Sequence, residues 1–447
     1  MKPPKLLPSA KTGSLAGLCA LAVLAAHGWK NISNLGFYHD DWTVFAILET
    51  GAQNGTGSLR SLMHAFPNLI YRPLDPLLWW IEHAFFGLNP LGWHLVSAAL
   101  LTGVAALTGL LAIRRGASTR TAAVAAVLLI SWPCKDSVQF WPGVATSLCA
   151  SALWLLSELA RASYESRGGR GRAAASVLAF LAGLGFYEQS LFLPLAWLFD
   201  PPSSREAGKR RRALMVAMAS AIAAWFLARS LLPRLTGVSY PRPLQISLQH
   251  IALVALSMPR AHGPETFWAV LRELRLNALA APLGAALALA LPWLTKLLPE
   301  EKHGRLAAFP AYGLAIFILA YLPMAFSDYK PVPLGPENRL NLAPAIGLAL
   351  AFAAWRQARA RTAAADAAVL ILAGLLLAAS GGTARLWAEA ARKQEAILSG
   401  ISAQIVRWPP ERELILLQKE PLAGGRAPVF LSHDSLTFAL NLRLAGC

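Results

Sequence analysis

At 447 residues, with 55% hydrophobic side chains, 15% charged ones and a mean hydropathy of +0.45, the chain is too apolar for an ordinary soluble domain, in which about a quarter of residues carry charge. The formal net charge of +17 does not indicate nucleic acid, because the basic residues fall in short clusters between apolar runs, as the positive-inside rule expects of a polytopic membrane protein. Cysteines at 19, 134, 149 and 447 show no paired spacing, which argues against a disulfide framework or a zinc site.

Apolar runs near the roughly 20 residues of a membrane crossing occupy 13–29, 92–113, 213–232, 276–295, 306–326, 340–355 and 364–380. The first is read as an uncleaved span with Lys2, Lys5 and Lys11 on the cytoplasmic side, so that "KNISNLGFYHDDW" emerges on the outer face. Residues 43–91 mix aromatic, apolar and charged side chains without a spanning run, and read as amphipathic helices lying in the outer interface. Residues 121–160, broken by "SWPCKDSVQFWPG", and 173–199, broken by "GFYEQS", are each flanked by basic clusters. Each is therefore expected to be a hairpin with its polar tip outside, since irregular backbone at that depth must face protein or a wet cavity.

Basic clusters at Arg114/Arg115/Arg120, Arg161 to Arg172, Arg205 to Arg212, Lys296/Lys302/Arg305 and Arg356/Arg359/Arg361, with the N-terminus, hold 21 of the 41 Lys and Arg residues. Their spacing gives about 11 spans and an outer C-terminus. Residues 233–275 form a second outer segment of interfacial character. Residues 1–380 are read as the membrane domain. Residues 381–447 are read as a small outer α/β appendage, helical to about 405 and then carrying short β-type runs "ELILL" and "APVFL". No G-x-G-x-x-G or Walker A pattern is present to bind a nucleotide. The fold class is thus an all-α polytopic membrane protein.

In chain order "FYHDDW", "YRPLDPLLWWIEHAFFGLNPLGWHLVSAALL", "SWPCKDSVQFWPG", "GFYEQSLFLPLAWLFD" and "GPENRLNLAPAIGLAL" resemble the motifs of GT-C superfamily membrane glycosyltransferases, bacterial relatives of the protein O-mannosyltransferases and of the transmembrane, tetratricopeptide-bearing mannosyltransferases. The resemblance covers residues 37 to 350. It implies a GT-C-like bundle in the bacterial cytoplasmic membrane, and an enzyme that moves a sugar from a polyprenyl-phosphate-linked donor to a glycan, lipid or protein hydroxyl on the outer face. Such chemistry needs cations for the leaving phosphate and a carboxylate base for the acceptor hydroxyl. By resemblance the base is Asp40 or Asp41, with His39 as an orienting group. The alternative for Asp40 is a plain helix N-cap.

Arg339 is the implied phosphate-binding residue, a guanidinium able to grip phosphate oxygens through paired hydrogen bonds, with an interfacial snorkelling arginine as the alternative. Arg72 and Lys135 are the further phosphate candidates, with a pairing of Arg72 to Asp75 or Asp40 as the alternative for Arg72. Glu188 and Asp136 are implied to bind the acceptor or support the site. Relatives usually carry Lys before the acid where this chain has Tyr187, and Asp136 stands one position earlier than their acid. Trp79, Trp80, Trp132 and Trp141 would stack on sugars or form an aromatic belt. His64, His83 and His94 are too dispersed for a metal triad, and no metal is called for. Competing readings are a polysaccharide polymerase or ligase, a secondary transporter, and a carrier-binding scaffold without activity.

Overall fold

A computed structural model describes residues 9–27, 31–55, 58–237, 247–276, 286, 309–327, 329–359, 363–405, 422–423, 427–430 and 433–445. Helices dominate: α1 (Ser9–His27), α2 (Asp40–Gln53), α3 (Ser58–Ala65), α4 (Leu74–Phe86), α5 (Pro90–Arg114), α6 (Thr119–Ser131), α7 (Asp136–Phe140), α8 (Ala145–Arg167), α9 (Arg170–Phe186) and α10 (Arg205–Thr236). They are followed by α11 (Leu248–His262), α12 (Pro264–Leu276), α13 (Phe309–Leu319), α14 (Leu322–Ala325), α15 (Leu342–Arg359), α16 (Ala363–Ile405) and α17 (His433–Ala445). Strands β1 (Leu422–Ala423) and β2 (Ala427–Pro428) form one short antiparallel pair.

Among the described residues, four helical stretches are long and apolar enough to cross a bilayer: Pro90–Arg114, Pro142–Arg167, Arg205–Thr236 and Ile371–Gln404. Gly13–His27, Thr119–Ser131 and Pro310–Ala325 are shorter apolar helices. The expected span at 276–295, apart from residues 276 and 286, the Lys296/Lys302/Arg305 cluster and the run "ELILL" lie outside the described residues.

Local chemistry sets the boundaries. Asn89 caps α5, its side chain accepting from the Leu91 N–H at 3.1 Å, with Pro90 in the first turn, where a missing N–H costs nothing. Ser118 caps α6 by accepting from the Thr121 N–H at 3.1 Å. Gly168 and Gly169, at φ of 70° and 98°, end α8 in the left-handed region that favours glycine. Every residue of α6 except Arg120 is buried, so α6 is an inner helix against which α1, α5, α15 and α16 pack.

The expected interfacial segments are helices: α2, α3 and α4 fold over a small core of Phe37, Phe45, Leu48, Leu62 and Trp93, and α11 and α12 form the second segment. The 121–160 region is α6 and α8 joined at "SWPCKDSVQFWPG", and it differs from a hairpin of two packed arms, because both helices lie against α5. The 173–199 region differs from two equal arms, because after α9 the chain forms 3-10 turns at Glu188–Ser190 and Leu193–Phe199. The boundary expected at residues 380 and 381 falls inside α16, one unbroken helix of 43 residues. Helix α17 was not anticipated; it packs on α2 and α16.

At the end of the bundle remote from Asp40, Arg115, Arg161 and Arg211 interlock with Glu158, Glu165 and Asp200. Arg161 Nη2 lies 3.0 Å from Glu158, and Arg211 Nη2 lies 2.7 Å from Glu165 and 3.2 Å from Asp200. Arg115 pairs with Asp200 and, at 3.4 Å, with Glu158. These ion pairs join α5, α8 and α10, so three arginines that the sequence marks only as topology signals are bundle-internal, where charges must be paired.

Helices α13 and α15 cross at Gly313 and Gly347, where an added Cβ on either meets backbone atoms of the other helix at 2.5 to 2.7 Å. Gly347→Ala is expected to cost about 1–3 kcal/mol by overpacking, read as a lower thermal unfolding midpoint in detergent. Gly103→Ala, with nothing within 4 Å of its Cβ, is the control and should not lower the midpoint.

Candidate active site

The stretch "FYHDDW" is anchored before it is functional. Tyr38 is buried, donates its hydroxyl to the Trp387 carbonyl at 2.8 Å, and packs edge-on to the Trp387 ring at 4.8 Å. His94 on α5 lies 2.9 Å from the Gly36 carbonyl. His39 follows with φ of 47°, the sole positive φ outside glycine among the described residues. Such a conformation costs on the order of 1–3 kcal/mol and is kept where surrounding contacts over-determine it, often at functional sites.

The turn at His39 separates the two aspartates. Asp41 is buried: its Oδ2 accepts from the Tyr38 N–H and its Oδ1 from Trp141 Nε1, each at 2.9 Å, and the Gly143 N–H also points at it. Burial pushes its carboxyl up to about 8, against these three donors. Asp40 is exposed, and its Oδ1 lies 3.3 Å from His39 Nε2. The helix-capping alternative for Asp40 fails, because the N-cap of α2 is His39, without a side-chain capping bond, and Asp40 and Asp41 both lie within the first turn, from which Asp41 reaches back to the Tyr38 N–H. Gly143 is required here, because a Cβ would collide with Asp41 Oδ1.

Trp141 is buried and central. Besides holding Asp41, its ring lies 5.6 Å from the His39 ring and 5.7 Å from the Arg339 guanidinium. An aromatic belt does not describe it, since a belt residue faces the lipid headgroups. Trp132 is also turned inward, donating to His262 Nδ1 at 3.0 Å, while Trp80 is exposed and Trp79 half-buried.

Arg339 is half-buried, donating to the Pro336 carbonyl and the Tyr329 hydroxyl, each at 3.1 Å, and contacting the Tyr187 hydroxyl. Burial opposes its charge, but Tyr187, Tyr329 and the nearby Asp40 outweigh burial and hold the guanidinium above its usual range. Asp40, through His39, and Arg339 thus both border the Trp141 ring.

Beside Tyr187, Glu188 is gripped from two sides. Arg72 Nη2 approaches Oε2 at 2.7 Å, and Arg229 Nη1 approaches Oε1 at 2.8 Å. Arg72 lies over the Tyr187 ring at 4.3 Å, and Arg229 over the Trp225 ring at 4.3 Å. Burial would raise the Glu188 carboxyl, but the two guanidinium groups hold it below its usual value. The ion pair of Arg72 is therefore with Glu188. Asp75, one turn of α4 away, is buried with Oδ1 unpartnered among the described residues, and burial raises its carboxyl well above the ordinary range. Glu82, on the same face of α4 and buried likewise, is pushed up to about 8, first by burial and then by Asp41.

Asp136 and Lys135 stand apart from the arginines. Asp136 accepts from the Gly335 N–H at 3.1 Å, from Asn338 Nδ2 and from Trp387 Nε1 at 2.9 Å, so it shapes the loop that carries Arg339. Lys135 is fully buried and donates to the Ile130 carbonyl at 3.0 Å; burial pushes its ammonium down to about 7. A group so enclosed is not placed as the arginines are to meet a phosphate. His83 lies 3.0 Å from Glu49, and among the described residues no three His, Cys, Asp or Glu side chains gather as a metal site.

Sequence reasoning passed over Arg229, Trp387, Tyr329 and Asn338. Arg229, inside an apolar helix, carries a signal that could have been used: a lone charge in such a run needs a partner. No family model matches this chain, and no curated protein or solved structure matches it.

The Glu188 clamp makes a pH prediction. Because its carboxyl is held below the ordinary glutamate value of 4.5, it contributes stability that is present above that value and lost as pH falls through the lower folded value. Unfolding midpoints followed on acidification should drop below about pH 4.5, and Glu188→Gln should flatten that part of the curve.

Proposed function

We propose that this chain is a membrane glycosyltransferase of the GT-C kind, with about 11 spans, a cytoplasmic N-terminus and an outer C-terminus, set in a bacterial cytoplasmic membrane. It takes a sugar from a polyprenyl-phosphate-linked donor and gives it to a hydroxyl of an envelope glycan, lipid or protein. One observation carries this reading: an exposed carboxylate, Asp40, borders the Trp141 ring through His39, a guanidinium, Arg339, borders the same ring, and Tyr187 beside Arg339 adjoins the Arg72–Glu188–Arg229 cluster.

Asp40 accepts the proton of the acceptor hydroxyl as that oxygen attacks the anomeric carbon. The bond from that carbon to the phosphate oxygen breaks, and its electron pair leaves on the phosphate. Arg339 meets the charge that develops there, a role in which preorganised donors act strongly because they need no reorganisation. Arg72, already bound to Glu188, supplies the second cation. Asp41, with its lone pairs occupied, does not take the proton; it fixes the start of α2 so that Asp40 faces outward. Rival membrane activities find no comparable support, because each would leave the paired placement of Asp40 and Arg339 without a use.

The test separates the two aspartates. Asp40→Asn should lower sugar transfer from a polyprenyl-phosphate donor in membranes by about 10²–10⁴-fold, with an unchanged unfolding midpoint. Asp41→Asn should lower the midpoint, since it replaces one of two accepting oxygens by a donor facing donors. Full transfer by Asp40→Asn would overturn the catalytic reading.

A further inference from the structure

Behind Arg339 runs a chain of polar contacts that the proposed chemistry does not use. Trp132 Nε1 donates to His262 Nδ1 at 3.0 Å, and Cys134 Sγ lies 3.1 Å from the same nitrogen. With Nδ1 accepting, the imidazole proton is assigned to Nε2, which faces the Tyr321 hydroxyl. Tyr321 in turn donates to Asn341 Oδ1 at 2.8 Å. Asn341 closes the circuit, its Nδ2 donating to the Cys134 carbonyl and the Val332 carbonyl, each at 2.7 Å. Donors and acceptors alternate consistently from Trp132 through His262, Tyr321 and Asn341 to the Cys134 carbonyl, so the arrangement specifies one geometry.

His262 ends α11, the first helix of the second outer segment. That helix is fastened to the Arg339 region along its length: Val254, Ile251 and Met258 pack in one cluster with Tyr187, Tyr329 and Leu340. His250 Nε2 adds a contact to the Met324 carbonyl at 3.1 Å. Tyr187 and Tyr329 are the two hydroxyls that hold Arg339, and Asn341 and Leu340 are its neighbours in the chain. The helix thus touches the groups that fix the guanidinium.

We propose that α11 is a clamp that sets the reach of Arg339, and that His262 is its positioning residue, acting through Tyr321 and Asn341. The inference rests on the reading of Arg339 as the phosphate-binding group. It explains why a polar ring is kept inside an otherwise apolar contact, where each unpaired member would be costly.

The probe is geranyl phosphate, a short polyprenyl monophosphate without sugar, titrated calorimetrically into the purified full-length protein. Arg339→Ala should weaken binding by about 10-fold or more, as loss of charge-assisted hydrogen bonds does. His262→Ala and Tyr321→Phe should each weaken it by about 3- to 10-fold. Tyr321→Phe keeps the packing ring, which guards against a variant that fails to fold. His262→Gln, whose amide N–H can take the place of Nε2–H, should recover most of the affinity. In an Arg339→Ala background, His262→Ala should add no further loss, because a residue acting through another is not additive with it. Wild-type affinity in His262→Ala and Tyr321→Phe, or full additivity with Arg339→Ala, would overturn the clamp while leaving the phosphate site standing. Unchanged affinity in Arg339→Ala would instead overturn the phosphate site, and the clamp with it.

Discussion

A charge buried in an apolar bundle persists only with a partner, and this rule organises the molecule. At one end Arg115, Arg161 and Arg211 are balanced by Glu158, Glu165 and Asp200. At the other, Glu188 is balanced by Arg72 and Arg229. Helix α10 contributes Arg211 to the first group and Arg229 to the second, so it is tied at both ends although much of its surface faces outward. Arg72, the second cation of the proposed site, is thereby preorganised by the same pairing that keeps the helices together, and such fixed charges are effective in catalysis.

The adjacent aspartates illustrate how one helix start divides labour. A turn of backbone with positive φ at His39 sends successive side chains apart, one into a set of three N–H donors and one to the solvent. The buried member costs desolvation that its donors offset only in part, and in return the exposed member has a fixed address. Trp141 makes the division cooperative, because its indole N–H holds Asp41 while its ring borders both His39 and Arg339.

Much of this was legible in the sequence for a physical reason. Amphipathic patterning and capping residues are local, so α2 to α5, the succession of α6 and α8, and the second outer segment follow from nearby side chains. Motif order likewise brought Asp40, Asp41, Glu188, Arg72 and Arg339 forward. What stayed hidden was pairing across the fold. Nothing near Arg229 in the chain points to Glu188, and nothing near Trp387 points to Tyr38 or Asp136. The division between Asp40 and Asp41 also needed the backbone turn at His39, which no residue preference announces. The unbroken course of α16 past residue 380 escaped notice because the shift from apolar to charged composition looks like a domain boundary, yet a helix passes through it unchanged.

That helix is also a ruler. From Ala367 to Ala384 it carries no charged residue, a length of about 27 Å at 1.5 Å per residue, close to the roughly 30 Å of bilayer hydrocarbon. Trp387, less than one turn further on, grips both Tyr38 and Asp136. In the orientation proposed here, the rod fixes the altitude of the acidic loop at the hydrocarbon edge, the level at which the phosphate of a lipid with its tail in the bilayer is bound to sit. Between Arg211 and Arg229, α10 measures nearly the same interval, so the depth of the site is graduated twice by independent helices, and a shift of either by one turn would carry the arginines about 5 Å away from that level.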